Sequence, residues 1–238
     1  LGEKHKAVVR VIGSALLDRI RNGGFDLQRD TLVSIRESAD LREIQLYAVD
    51  PDLQAEVMAH GWDGALVPDP AVPTLGITLA NVVGNKASHH LDVASEMTFS
   101  PQAGGVTRVT WEIAISHTGD PQGDIYYNGF LRTWLAVYLP QDSTLISSSP
   151  LPEPATVNDD PRATAFHLPI DPGMSKRVRV TFDLPPNAQS LYLRRQAGAN
   201  PLQITLSGGS AVCTIAGQIT LERDAVIDLA QCRVDGGG

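Results

Sequence analysis

The chain has 238 residues, 42% of them apolar and 19% charged, an ordinary globular composition with length enough for one large or two small domains. Its 27 acids outnumber 19 bases for a net charge of −8, and bases gather only at Lys176-Arg177-Val178-Arg179 and Arg194-Arg195. The concentrated basic face that nucleic acid requires is therefore excluded as a partner surface.

The chain starts at Leu1 without a basic leader or cleavage site, the pattern expected of a mature or partial piece of a longer precursor. Residues 6–22 set Val8, Val11, Ile12, Ala15, Leu16 and Ile20 at spacings of three and four, which predicts an amphipathic helix stopped by Gly23-Gly24. A second helix is expected over 27–39, with Asp26 as its cap and Leu32 and Ile35 on one face. Alternation over 43–49 predicts a short strand, and Asp50-Pro51 opens a third helix over 51–60 that ends at Gly61. Prolines 68, 70 and 73 interrupt the pattern, after which 74–83 reads as a buried strand. The longest apolar runs, 7–11 and 75–83, fall far short of the roughly 20 residues of a membrane-spanning helix, so no span is expected within the chain.

From Leu91 the period changes to two. Strands are expected over 91–99, 106–116, 130–139, 163–168, 176–184, 190–195, 202–206, 212–219 and 225–232, joined by turn-rich connectors such as Asp171-Pro172-Gly173. Residues 147–161, with four prolines, read as a long exposed loop. Many short punctuated strands predict an antiparallel, immunoglobulin-like β-sandwich. The fold class expected is thus α+β: an α/β block over 1–90 that ends a larger domain, then a β-sandwich domain over 91–238. Cys213 and Cys232 lie in the last strand-like segments, either as a disulfide suited to an oxidising compartment or as two buried thiols.

Several segments occur in a recognisable order. Gly61-Trp62-Asp63-Gly64 precedes Asn81-Val82-Val83-Gly84-Asn85-Lys86, then Tyr127-Asn128-Gly129-Phe130-Leu131-Arg132, Val137-Tyr138-Leu139-Pro140, Leu184-Pro185 and Leu191-Tyr192-Leu193-Arg194-Arg195-Gln196-Ala197-Gly198. Over residues 7–210 this series resembles the C-terminal part of a bacterial family catalogued as domain of unknown function 4012. The resemblance implies an extracytoplasmic place at the cell envelope or cell surface, an anchoring membrane helix upstream, and surface polysaccharide as a potential partner. It also implies an alternative: kinship of the α/β part with the LytR-CpsA-Psr enzymes, which transfer lipid-linked glycopolymers using clustered arginines and a metal-binding aspartate. No such cluster maps onto this sequence.

Candidate chemistry is sparse. Asn81, Asn85 and Lys86 form a polar turn after a buried strand, where backbone N–H groups and one lysine suit an anion, though glycine and asparagine are also ordinary turn residues. Tyr126, Tyr127, Asn128 and Arg132 complete the candidate ligand-binding set, the tyrosines as a sugar-stacking face. Trp111 and Trp134 are expected in the core. His89 and His90 as strand neighbours would point to opposite faces, leaving too few ligands for zinc. Glu112, Asp120 and Asp124 read as solvated turn acids, and Ser116-His117 as strand neighbours do not form a dyad. No catalytic residue, metal or cofactor is expected. The leading expectation is a non-enzymatic structural or interaction protein of the cell envelope that packs against other envelope proteins or copies of itself. The alternatives are the glycopolymer transferase and a carbohydrate-binding module.

Overall fold

The structure, a computed structural model, describes residues 7, 10–12, 14–15, 18–19, 21–22, 29–65, 72–153, 162–210 and 212–236. They fall into two compact units, Leu1–Gly64 and Ala65–Gly238.

In the first unit the described part of the expected 6–22 helix is helical and exposed, while its Gly23-Gly24 stop and the Asp26 cap of the next helix lie outside the described residues. Helix α1 spans Arg29–Asp40 and α2 spans Pro51–Ala59. The start of α2 follows from two residues. The Asp50 carboxylate accepts from the N–H groups of Asp52 and Leu53, both at 3.0 Å, and Pro51 supplies a first helical position that needs no donor. The strand expected over 43–49 is not formed: 45–48 are irregular, and Leu46 N–H donates to the Trp62 carbonyl beyond α2. A strand needs a partner along its edge, and here the nearest backbone belongs to a helix end, so the unit is helical among its described residues rather than α/β.

The second unit is two six-stranded sheets. In chain order the strands are β1 Thr74–Asn81, β2 Leu91–Pro101, β3 Thr107–His117, β4 Leu131–Tyr138, β5 Thr144–Ser149, β6 Ala163–Ile170, β7 Ser175–Asp183, β8 Ser190–Arg194, β9 Leu202–Gly208, β10 Gly217–Leu221, β11 Ala225–Asp228 and β12 Arg233–Gly236. One sheet runs β12-β11-β8-β1-β4-β6 and the other β10-β9-β2-β3-β7-β5. Alternation in β3 is complete: Val109, Trp111, Ile113 and Ile115 are buried and the residues between them face outward. They join Phe99, Leu135, Phe166, Val180 and Leu193 from both sheets in one core cluster. On the outer face of the second sheet Arg108 sits opposite Asp183 and Glu112 opposite Arg179, pairs that reinforce register. Hydrogen bonds from those arginines hold the Asp183 and Glu112 carboxyls below their ordinary range.

Five expectations are corrected. The domain boundary falls at 64/65 rather than 90/91, because β1 pairs with β4 and β8 and so belongs to the β unit. The sheets are mixed rather than antiparallel: β1 runs parallel to β8, and β2 parallel to β9. Both parallel pairs have one cause. The chain crosses from the first sheet to the second at β1→β2 and again at β8→β9, and the two arches lie side by side in the same direction. Residues 225–232 are not one strand but the first half of the β11–β12 hairpin, and 144–149 form β5 at the start of the expected loop. Trp134 lies on the outward face of β4, half-buried against the His167 ring at 5.3 Å, because the inward positions of β4 are Leu131, Thr133, Leu135 and Val137.

Cys213 and Cys232 form a disulfide across 19 residues. It joins the β9–β10 turn of one sheet to the β11–β12 turn of the other, stapling the two sheets along one side. No helix among the described residues is long and apolar enough to cross a membrane.

Candidate functional site

The turn after β1 meets the β3–β4 connection at one end of the β unit. The connection is built by local capping. Asp124 accepts from the N–H groups of Tyr126 and Tyr127, at 2.9 and 3.3 Å, and so starts the one-turn helix α3, Ile125–Asn128. Asn128 Oδ1 accepts from Asp120 N–H at 3.0 Å, closing the loop back on itself. Gly129 ends the turn because a Cβ there would collide with the Ile125 carbonyl.

Beneath the loop, His117 is 1% exposed. Gly119 N–H donates to its Nδ1 at 3.1 Å, which leaves the proton on Nε2 to donate to the Gly129 carbonyl at 2.8 Å. Both ring nitrogens are thus spent on the two ends of the loop. The His90 ring stacks on it at 6.1 Å, and His89 and His90 lie in a single 3₁₀ turn, Ala87–His90, rather than on a strand as expected. Among the described residues no group of three or more His, Cys, Asp or Glu side chains is placed to hold a metal ion.

The other wall is made of amides. Asn81 Nδ2 donates to Asn85 Oδ1 at 2.8 Å, Asn81 Oδ1 accepts from Val83 N–H, and Asn85 Nδ2 reaches the Phe130 carbonyl at 3.0 Å. Lys86 N–H donates to the Tyr126 carbonyl at 2.7 Å, and the Arg132 guanidinium lies 5.7 Å from the Phe130 ring centroid.

All seven candidate ligand-binding residues are therefore gathered at one end of the β unit, but they divide by role. Asn81, Asn85 and Asn128 hold the scaffold. Tyr126, Tyr127, Lys86 and Arg132 are exposed, and Tyr126 and Tyr127 meet edge to face at 5.1 Å. Around them Val82, Ile125 and Phe130 are 60%, 74% and 40% exposed, which makes the tip apolar as well as aromatic. Sequence reasoning missed Val82, Ile125 and Phe130, since single exposed apolar residues carry no signal until a fold clusters them. It also read Asp124 only as a turn acid. Its position directly before Ile125-Tyr126-Tyr127 is a capping signature that was legible.

Beside the end of β8, Asp224 organises a largely buried polar hub. Its Oδ2 accepts from Arg194 Nη1 at 2.7 Å and from the Tyr192 hydroxyl at 2.8 Å, and its Oδ1 from Arg195 N–H at 2.8 Å. Arg194 also donates to the Ala65 carbonyl. Burial, followed by the Asp224 charge, pushes the Tyr192 hydroxyl from 10.0 up to about 12. Because the folded value is raised, the stability this contributes is complete below pH 10 and is lost as pH rises toward 12. Chemical denaturation at stepped pH is expected to show that loss in the native chain and a shallower one in Tyr192→Phe. Identical slopes would contradict the assignment.

The fold and tip together define an α+β protein, dominated by a two-sheet β unit with a loop-borne aromatic patch. No protein-family model matches the chain, and no curated protein matches it. A solved crystal structure from Legionella pneumophila, described as that of a "putative nutrient binding protein", is similar over 57% of this chain and 54% of that one, with 8% identity and a TM-score of 0.31. The likeness spans about half of either chain and carries no argument about fold or activity.

Proposed function

We propose that this chain is a non-enzymatic, extracytoplasmic component of the cell envelope or cell surface, related to the family of domain of unknown function 4012, whose β unit is an interaction platform. The observation that carries the reading is the tip: Val82, Ile125, Tyr126, Tyr127 and Phe130 are exposed together on loops whose polar groups are committed to holding them in place. A preorganised aromatic surface of this kind loses little entropy on docking. The Cys213–Cys232 disulfide supports the compartment, since such bonds persist where the surroundings are oxidising. The β unit reads as an immunoglobulin-like sandwich, supported by two sheets that share one core and by a chain that crosses repeatedly between them.

Partners of this surface are other envelope proteins or copies of the same chain. Surface polysaccharide is the second reading, favoured by the two tyrosines beside Lys86 and Arg132. The test compares the native chain with Tyr126→Ala/Tyr127→Ala, each extracted gently from its own envelope and sized by chromatography with light scattering. A mass far above one chain that falls to the single-chain value in the variant supports the platform reading. Binding of purified envelope polysaccharide that the variant loses, at unchanged mass, selects the second. A single-chain mass and no polysaccharide binding in the native chain would overturn both.

A further inference from the structure

The β1→β2 and β8→β9 arches enclose a cleft of about 290 Å³. Its floor is aliphatic, with Ile77 and Leu79 from β1, Val93 from β2, Leu202 from β9 and Leu221 from β10. These side chains belong to the core cluster or pack against it, so the cleft is a place where the space between the sheets opens to solvent.

One wall is held by an unusual contact. β8 pairs with β1 only from Thr74 to Gly76, and past that point the Gln196 side chain replaces the missing strand. Its Oε1 accepts from Leu79 N–H at 2.7 Å and its Nε2 donates to the Leu79 carbonyl at 3.1 Å, the two bonds a neighbouring peptide would make. On the facing side Asn200 Nδ2 donates to the Leu91 carbonyl at 3.4 Å. The walls are therefore tied across both arches and the cleft is preformed.

The mouth gathers basic and hydrogen-bonding side chains, with the Asp224 carboxylate directly behind Arg194. Arg194, Arg195, His89 and Ser88 line it, and among the described residues of the lining none is an aspartate or glutamate, although the chain carries 27 acids against 19 bases. Arg194 is aimed by Asp224 and the Ala65 carbonyl, contacts that use fewer than the five N–H donors of a guanidinium. An aliphatic floor beneath a donor-rich mouth matches a molecule with a short apolar body and one anionic head. The volume lies near the lower end of ligand pockets, about 300–1,000 Å³.

We infer that this cleft is a binding site for a small amphiphilic organic acid, its apolar body on Leu79, Val93 and Leu202 and its carboxylate at the Arg194–His89 mouth. The site shares Asn81 with the scaffold of the aromatic tip but does not rest on the interaction reading.

The test uses octanoate as the probe and octanol and octylamine as controls, read by titration calorimetry and by the shift in melting temperature. Octanoate is expected to bind saturably and raise the melting temperature, with octanol at least ~10-fold weaker because it cannot form charge-assisted hydrogen bonds. Val93→Trp, which fills the floor from a half-buried position, is expected to abolish binding. His89→Glu, which puts a carboxylate at the exposed rim, is expected to weaken it ~10-fold or more, by the cost of placing like charges together. Melting of each unliganded variant reports that it is folded, and Tyr126→Ala/Tyr127→Ala should bind octanoate as the native chain does. No saturable binding at millimolar octanoate, equal binding of octanol, or undiminished binding by folded Val93→Trp would each overturn the assignment.

Discussion

Replacing Asp224 with alanine is expected to destabilise the β unit by about 3–5 kcal/mol, the usual cost of leaving one partner of a buried ion pair behind. The Arg194 side chain is 4% exposed and that of Asp224 14%, so water does not replace the lost carboxylate. The Tyr192 hydroxyl and the Arg195 N–H lose their acceptor in the same step, which adds unsatisfied donors to the stranded charge. Asp224→Asn keeps an acceptor oxygen and the side-chain shape, so a smaller loss is expected. The measurement is the urea midpoint of each variant at an unchanged slope. An alanine variant within about 1 kcal/mol of the native chain would show that the hub is not what holds β8 to β11, the pair joined at Ala225 and Leu193.

Removing the disulfide as Cys213→Ser/Cys232→Ser is expected to cost about 3 kcal/mol, from the loop entropy returned to the unfolded chain. The 19-residue separation sets that magnitude, and the position sets its local consequence. β10 and β12 are edge strands of different sheets, and the bond links the turns that lead into them. Amide exchange in β10–β12 should therefore accelerate before exchange in β3 or β7. The native chain treated with dithiothreitol should melt where the double variant melts. A reductant-insensitive melting temperature, equal to that of the double variant, would mean that the staple contributes no stability.

Much of the β unit was legible in the sequence because strand alternation is a local property. The inward set Val109, Trp111, Ile113 and Ile115 can be read from period two alone. The same logic misplaced Trp134, since period two names two alternating sets but not which of them faces the core. The strand expected over 43–49 failed for the converse reason. Its alternation is real, but among the described residues it pairs with no strand, and Leu46 bonds to the Trp62 carbonyl beyond α2 instead. In the candidate site the residues were legible one by one, as turn amides and paired tyrosines, while their division into scaffold and surface was not. Asn85 looks the same in sequence whether its amide faces a ligand or the Phe130 carbonyl, 45 residues away.

By itself the sequence determined the strand-rich character of the second half, the positions of most strands and turns, and the capped start of α2. These rest on periods and caps, interactions within a few residues. Only the tertiary structure decided which strands are neighbours, that β1 belongs to the β unit, that both sheets are mixed, and that a cleft opens between two arches. Those facts depend on contacts such as Leu79 with Gln196, 117 residues apart. No local pattern encodes such a pair, because each partner's own segment is equally regular without the other.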